Sequence, residues 1–306
     1  MIPIRSWGAI AAGLLALSGC ASRPAVMVPG PQPYAVRAEI YRFRVGAFDA
    51  VALREGAKHL PNDGKIFGVG QTPETIGAAL TQAGLAGDAI DISFQPLLVR
   101  TGERLVLIDA GSGPTMGPLV GQLEGSLRLA GVDPASITDV IISHSHPDHA
   151  AGLADVAGRS AFPNAVIRMS SAEWIFMQAN PALTTVVSAI APQVVTFEPT
   201  GESLLPGISA VPLAGHTPGH VGVRIASEGQ ALIYTGDVLH HPVISVQHPE
   251  WPMVFDDDPA AATFNRRLLM ESAARDHTLL YAGHFPYPGL GRIEKRGDSY
   301  VWVPER

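Results

Sequence analysis

The chain has 306 residues, of which 46% are hydrophobic and 16% are charged, and its formal net charge is −7. This composition excludes extended disorder as the main state, because it supplies enough apolar surface for a large core. The acidic balance argues against nucleic-acid binding, which normally needs a basic surface. A single cysteine excludes an intrachain disulfide and a cysteine-rich zinc module.

The first predicted element is an N-terminal signal sequence over residues 1–20. Arg5 precedes an apolar run at 8–17, which is too short to cross a bilayer as a helix and suits a signal peptide. The run ends in Leu17-Ser18-Gly19-Cys20, which resembles a bacterial lipobox. That resemblance implies cleavage before Cys20 and lipidation of its thiol. The alternative is an ordinary signal peptide with a chance cysteine.

Residues 21–34 contain four prolines and little periodicity, which predicts an extended, flexible tether. A lipidated Cys20 predicts a membrane-anchored lipoprotein that faces the bacterial periplasm. Ala21, rather than an aspartate, follows the cysteine. By resemblance to Gram-negative lipoproteins, this implies the outer membrane. Residues 35–306 would then form one domain, within the usual size range of α/β domains.

Alternating or apolar runs predict strands throughout the remaining chain, at 36–53, 92–100, 104–108, 138–143, 164–169, 208–213, 221–226, 231–235 and 278–282. A capping residue followed by proline predicts a helix start at Thr72, Asp133, Asn180 and Asp258. Hairpin-length turns at 101–103 and 228–230 join neighbouring strands. Helices mixed with hairpins predict an α/β fold with mixed sheets rather than one parallel sheet.

The densest group of candidate metal ligands, residues 144–149 (HSHPDH), follows a predicted buried strand. In extended backbone His144 and His146 point the same way, so they can offer two imidazoles to one ion. The chain then turns, and Asp148 with His149 can face a second ion. Imidazole and carboxylate ligands suit zinc, and also iron, manganese or cobalt. A solvated polar turn is the alternative.

This H-x-H-x-D-H pattern resembles the signature of the metallo-β-lactamase-fold hydrolases. Four further segments resemble the other motifs of that family and occur in the family's order, at 106–111, 215–220, 233–237 and 282–284. The resemblance implies a four-layer αββα sandwich of two mixed β-sheets. It also implies two divalent metal ions, with zinc first and iron, manganese or cobalt as alternatives.

The resemblance further implies a role for each candidate residue. The first metal would be held by His144, His146 and His220, the second by Asp148, His149 and His284, and both by Asp237. Asp109 would orient a ligand, and His216 would be a near neighbour of the site. A water shared by the two metals would react as hydroxide, and Asp148 would be the catalytic residue that orients it or moves its proton.

The C-terminal part resembles the methyl parathion hydrolase branch, which includes lactonases and phosphotriesterases, in the segments 237–240, 246–249, 255–258, 282–291 and 299–304. This implies cleavage of an ester, lactone or phosphotriester bond in a small apolar substrate, and a homodimer. Candidate pocket walls, with core packing as the alternative, are Trp251, Phe255, Phe285 and Tyr287. The sequence leaves open the roles of His240, His241 and His248.

Other activities remain as alternatives. Zinc β-lactamases commonly have a cysteine where Asp237 stands, and the only cysteine here is Cys20. This counts against β-lactam hydrolysis without excluding it, and thioester hydrolysis is a related alternative. An iron-dependent persulfide dioxygenase shares the fold. A non-catalytic, metal-binding lipoprotein is the remaining alternative.

Overall fold

A computed structural model of the protein describes residue 1 and residues 37–117, 119–201 and 203–305. The predicted signal sequence from residue 2, Cys20 and the tether at 21–34 lie outside these described residues. Within the described ranges, no helix is both long and apolar enough to cross a bilayer.

The strands of the described chain are β1 Ile40–Val45, β2 Phe48–Leu53, β3 Gly56–Pro61, β4 Ala89–Phe94, β5 Leu97–Thr101, β6 Arg104–Ile108, β7 Asp139–Ile141, β8 Val166–Ser170, β9 Val194–Phe197, β10 Ser203–Leu205, β11 Ile208–Pro212, β12 Val221–Ser227, β13 Gln230–Tyr234, β14 Leu279–Tyr281, β15 Leu290–Arg296 and β16 Ser299–Pro304. The α-helices are α1 Pro73–Gln82, α2 Leu123–Ala130, α3 Pro147–Ala150, α4 Ser171–Ala179, α5 Thr184–Ile190, α6 Ile244–Gln247 and α7 Pro259–Asp276.

Two seven-stranded mixed sheets dominate the fold. The first has the order β1-β2-β5-β6-β7-β8-β9, antiparallel as far as β6 and parallel from β6 to β9. The second runs from β10 to β16 in chain order and is antiparallel except where β13 pairs with β14. Strands β3 and β4 form a separate two-stranded sheet.

The packing of these elements gives the predicted four-layer αββα sandwich. The inner faces of the two sheets share one core, in which Val99 lies on one side and Val223 on the other. Helices α2, α4 and α5 cover the outer face of the first sheet through residues such as Leu127. Helix α7 covers the second sheet through Met270. A smaller core joins α1, α6 and the β3–β4 sheet beside the sandwich.

Some predicted elements differ in detail. The apolar run predicted at 36–53 is the β1–β2 hairpin, which turns at Gly46 with a φ of 58°. Thr72 and Asp258 cap α1 and α7 as predicted, because their side chains accept hydrogen bonds from backbone N–H groups. Asp133 and Asn180 instead begin single three-residue 3₁₀ turns, and only the second turn leads on into a helix, α5.

All the candidate ligands lie at one edge of the sandwich. In a parallel pair the carboxyl ends of both strands meet at the same edge. The loops after β6 and β7 therefore meet in the first sheet, and those after β13 and β14 meet in the second. Strand β11 runs in the same direction as β13, because each is antiparallel to β12. The loop that follows β11 contains His216 and His220 of the segment 215–220, which is the third family motif in chain order, and it lies at the same edge.

Candidate metal centre

Asp109 is the first candidate residue at this edge, directly after β6. Its backbone is left-handed with a φ of 60°, a conformation that costs free energy for any residue except glycine. Its carboxylate accepts hydrogen bonds from the backbone N–H and hydroxyl of Ser143, both at 2.7 Å, and from the Tyr234 hydroxyl at 2.7 Å. Nδ1 of His149 donates to it at 2.6 Å. Asp109 thereby leaves Nε2 of His149 available as a ligand atom.

The first cluster of candidate ligands consists of His144, His146, His216 and Asp237, whose ligand atoms lie within 4.8 Å of one another. Nδ1 of His146 is 3.1 Å from Nε2 of His144 and 2.9 Å from Nε2 of His216. Imidazole nitrogens converging in this way, with a carboxylate beside them, are a typical ligand set for a divalent metal.

The second cluster consists of Asp148, His149, Asp237 and His284, whose ligand atoms also lie within 4.8 Å of one another. Nε2 of His149 is 3.2 Å from Nε2 of His284. The orientation of the His284 ring is fixed by its other nitrogen, because Nδ1 donates a hydrogen bond to the backbone oxygen of Ser93 at 2.8 Å. Asp237 belongs to both clusters, as predicted for a bridging carboxylate.

The surroundings of Asp237 show that the clusters fit cations. Its Oδ1 is buried and makes no hydrogen bond to any described residue. Yet this oxygen lies 3.0 Å from Nε2 of His149 and 3.1 Å from Nε2 of His284. Buried carboxylate oxygens normally have partners. A metal ion held in common by these three side chains would satisfy the oxygen and both nitrogens, so the second cluster fits a divalent ion, and the donor set of the first cluster fits another.

The electrostatics agree with this fit. Burial lowers the pKa of His216, but its hydrogen bonds to Asp237 and Asp256 outweigh burial and raise that pKa to about 9. Burial also opposes protonation of His149, yet Asp237 and the neighbouring carboxylates raise its pKa well above the ordinary value. The carboxylates thus favour positive charge at the site. Because a metal-bound histidine is neutral, a divalent ion would displace these protons.

Burial disfavours protonation of the other two imidazoles of the first cluster. Burial lowers the pKa of His144 well below its ordinary value. Burial, followed by the positive charge of His216, lowers the pKa of His146 to about 4. Both side chains can therefore coordinate a metal without losing a proton first.

The structure reverses the places that the sequence analysis gave to His216 and His220. His220 uses both ring nitrogens within the protein: Nδ1 donates to the Leu213 oxygen at 3.0 Å, and Nε2 accepts from the Asp237 N–H at 2.9 Å. A β-carbon on Gly236 would lie 2.4 Å from that Nε2. His220 therefore fixes the turn that carries Asp237, while His216 supplies the imidazole of the first cluster.

Two residues that the sequence analysis did not single out hold His216 in place. Nδ1 of His216 donates to Oδ1 of Asp256 at 2.9 Å. Arg266 is almost fully buried and lies 3.4 Å from the other oxygen of Asp256, while it donates to the backbone oxygens of Val238 and Pro249. The acidic run 256–258 was the only sequence signal for this carboxylate. Arg266 had none, because arginines on a helix are usually exposed.

Replacing Asp256 with asparagine should weaken binding of the first metal by about 10- to 100-fold, the usual effect of losing a carboxylate behind a histidine ligand. The amide oxygen of asparagine can still accept the hydrogen bond from Nδ1 of His216, but it has no negative charge to make that imidazole a stronger ligand. Metal titration with a competing chelator measures this change. Asp257→Asn, at the exposed neighbouring position, is the matched control. Equal metal affinities in both variants would contradict the role of Asp256.

The histidines left open by the sequence have distinct places. Nε2 of His240 lies 3.2 Å from Oδ2 of Asp237, and its ring stacks on that of His284 with 5.7 Å between centroids. His241 instead accepts hydrogen bonds from backbone N–H groups at the start of α6. His248 stacks on Trp251 with 3.9 Å between ring centroids. Only His240 of these three faces the metal centre.

Phe255 is the one predicted pocket residue that borders the site. Its ring centroid is 6.2 Å from that of His146, and its side chain is half exposed. Val69 and Val254 are also partly exposed, and hydrogen bonds between the segments 66–69 and 252–254 hold these residues on one surface. We call Val69, Val254 and Phe255 the apolar rim.

The other predicted pocket residues pack within the protein. Phe285 is fully buried against Trp302, so the prediction that it lines the pocket is wrong. Tyr287 packs beside the core between the two sheets, and its hydroxyl donates to the backbone oxygen of Ala52. Trp251 is buried in the small core beside α1. Sequence patterns did not distinguish these aromatic core residues from pocket walls.

Comparisons with known proteins agree with this geometry. A sequence model described as the metallo-beta-lactamase superfamily matches residues 96–295. A probable metallo-hydrolase of Mycobacterium tuberculosis is 25% identical over 214 residues, which cover 58% of this chain and 67% of the relative. Among solved structures, AidC, a dizinc quorum-quenching lactonase in complex with a product, has a TM-score of 0.84 at 28% identity. The match covers 89% of this chain and 99% of the AidC chain. Hydrolase AbOPH in the beta lactamase superfamily has a TM-score of 0.80 at 25% identity, and the match covers 88% of this chain and 98% of the AbOPH chain.

Proposed function

The chain belongs to the metallo-beta-lactamase superfamily and is a metal-dependent hydrolase, and from this premise we propose that it cleaves an ester, lactone or phosphotriester bond in a small apolar substrate. Lactones are the foremost candidates, because the similar structure of AidC is that of a lactonase. The observation that carries the proposal is the pair of ligand clusters that share Asp237.

We propose that both metals are zinc, since three imidazoles and a carboxylate in the first cluster, and two imidazoles and two carboxylates in the second, are ligands that zinc favours. The first would be held by the first cluster and the second by the second cluster. Two such ions, when bound, lower the pKa of a water molecule and polarise the substrate oxygen. The remaining chemistry is assigned to side chains of the protein.

Asp148 has the position required of a proton carrier. Its side chain keeps 17% of its surface exposed, whereas the Asp237 side chain keeps 5%. Its Oδ2 lies 3.6 Å from Nε2 of His149 and 3.5 Å from Nε2 of His284. We propose that this oxygen accepts the proton of the attacking water and passes it to the leaving oxygen.

His240 is a buried imidazole that faces the site but belongs to neither cluster of the described chain. Burial lowers its pKa to about 4, so it is neutral at physiological pH. A neutral imidazole can donate one hydrogen bond, and Nε2 of His240 lies 3.2 Å from Oδ2 of Asp237. We propose that this bond holds the Asp237 carboxylate in place between the two clusters without adding charge.

Phe255→Ala should lower kcat/KM about fivefold for substrates with long apolar groups and change it little for short ones. Without the half-exposed ring, the variant would lose roughly 1 kcal/mol of apolar contact with the long group of the substrate. Initial rates on a series of chain lengths measure this effect. Phe264→Ala, at an exposed phenylalanine of α7, is the control. A uniform loss at all chain lengths would contradict a binding role for the apolar rim.

A substrate panel tests the proposed reaction. The metal-loaded protein is assayed with lactones, aryl esters, phosphotriesters, β-lactams, thioesters and a persulfide. Turnover of the first three classes, with lactones fastest, is the expected result. Faster turnover of β-lactams or thioesters would change the bond class. Oxygen consumption with the persulfide would replace hydrolysis by dioxygenase chemistry, and no turnover at all would favour a non-catalytic role.

We also propose that Cys20 carries a lipid that anchors the protein to the outer membrane. The lipobox-like sequence before it supports this proposal. Cys20→Ser should shift the protein from the membrane fraction to the soluble periplasmic fraction. Fractionation with an antibody against the catalytic domain measures the shift. A variant that stays in the membrane fraction would contradict lipid anchoring.

A further inference from the structure

Glu173 is a fully buried glutamate in the first turn of α4, and none of the motifs includes it. Its Oε1 accepts hydrogen bonds from the backbone N–H and the hydroxyl of Ser145, both at 2.6 Å. Its Oε2 accepts from the Thr217 hydroxyl at 2.6 Å and from the Gly219 N–H at 3.2 Å. All four partners donate, which matches an ionised carboxylate.

These donors come from the two loops that supply the imidazoles of the first cluster. Ser145 stands between His144 and His146, and Thr217 follows His216 directly. One carboxylate therefore ties the two loops together. The supports described for the second cluster are different, because Asp109 and the Ser93 backbone oxygen hold its histidines.

The packing around Glu173 leaves little room for adjustment. The Ser170 hydroxyl donates to the Gly219 oxygen at 2.7 Å and accepts from the Glu173 N–H at 3.1 Å. A β-carbon on Gly219 would lie only 2.2 Å from the Glu173 nitrogen. The amino end of α4 and the third-motif loop are thus in direct contact, which fixes the carboxylate relative to both loops.

We propose that Glu173 is a positioning residue that sets the spacing between the His144–His146 pair and His216 and so determines the affinity of the first metal. This inference rests on the two-metal site of the proposed function. A buried charge with four matched donors is costly to alter, because any unmatched donor is left buried without a partner. Glutamine would place an N–H₂ group against N–H or O–H donors on one side.

The test compares Glu173→Gln with Glu55→Gln. Glu55 is the matched control, because it is also fully buried and its carboxylate accepts from the Ser112 N–H and hydroxyl and from the Leu123 N–H, at 2.7 to 2.9 Å. These donors lie outside the His144–His146 and His216 loops. Both proteins are loaded with Co²⁺ or Zn²⁺, and metal content, chelator competition, the Co²⁺ absorption spectrum and the unfolding temperature are measured.

Glu173→Gln should bind the first metal about 10- to 100-fold more weakly, keep the second, and lose part of the Co²⁺ absorption. Glu55→Gln should lose stability but keep both metals. Wild-type affinity for both metals in Glu173→Gln would overturn the proposal, and so would the same metal loss in both variants.

A second variant keeps the test decisive if Glu173→Gln does not fold. Thr217→Val removes one of the four donors while keeping the side-chain shape. It should weaken the first metal alone by several-fold, and unchanged affinity would again overturn the proposal. Wild-type protein that binds no pair of metals would contradict the proposed function instead.

Discussion

Asp237→Ala should abolish binding of both metals and lower kcat by roughly a thousandfold or more, since metal stabilisation of developing charge is worth several kcal/mol. Asp237 is the residue common to both clusters. Its two oxygens approach Nε2 of His149, His284 and, at 3.4 Å, His216. Removing it therefore takes the only carboxylate from the first cluster and one of the two carboxylates from the second. Metal analysis of the purified variant, beside initial rates, measures both effects.

A buried aspartate elsewhere controls for damage to the fold. Asp139 is fully buried and accepts hydrogen bonds from Arg104 at 2.8 Å and from Arg168 at 3.1 Å. Asp139→Ala should lower the unfolding temperature while the folded fraction keeps two metals. Retention of both metals by Asp237→Ala would contradict the bridging role, and equal metal loss in both variants would indicate general unfolding.

Asp148→Asn should lower kcat by about a hundredfold to ten-thousandfold, the usual contribution of a positioned acid or base. Asparagine keeps the shape of the side chain and one oxygen ligand, but it cannot take up the proton of the attacking water. The second cluster still has His149, His284 and Asp237, so we expect the metal to remain with reduced affinity. Rates are measured at metal concentrations that saturate the variant.

The leaving group separates the proton transfer from metal binding in this variant. A substrate with a good leaving group, such as an aryl ester, needs little proton delivery. Asp148→Asn should therefore lose less activity on aryl esters than on alkyl lactones. Nearly full kcat on lactones, with both metals bound, would contradict the proposed role of Asp148.

The sequence predicted the residues whose role depends on local order. Strand runs such as 104–108 and 221–226 match β6 and β12 closely, because both are short apolar runs that are mostly buried. The ligand pair His144 and His146 follows from the two-residue repeat of extended backbone. The two mixed sheets were also predictable, since hairpin turns and helical crossovers both occur in the chain.

The choice between His216 and His220 was beyond local sequence. The two residues lie four positions apart in one loop, and nothing in the spacing indicates which imidazole faces the other ligands of the first cluster. The answer depends on partners far along the chain, because Asp256 supports His216 while the backbone of Leu213 and Asp237 occupies His220. Each partner becomes visible only after the sheets have been assembled.

The supporting network was likewise hidden from sequence. Glu173 in α4 and Arg266 in α7 follow ordinary helical patterns in which a charged residue is expected on the solvent face. Both side chains are buried because loops from other parts of the chain supply their hydrogen-bond partners. The same reason explains Phe285, whose aromatic ring suggested a pocket but packs against Trp302 in the core.

Metal reconstitution coupled to hydrolysis tests the central claim most directly. The protein is stripped with a chelator, Zn²⁺ is added back stepwise, and bound metal and lactone hydrolysis are recorded together. The two clusters around Asp237 predict saturation at two ions per chain, with full hydrolysis only when both are bound. Full turnover by the metal-free protein, or saturation of binding and rate at one ion per chain, would contradict it.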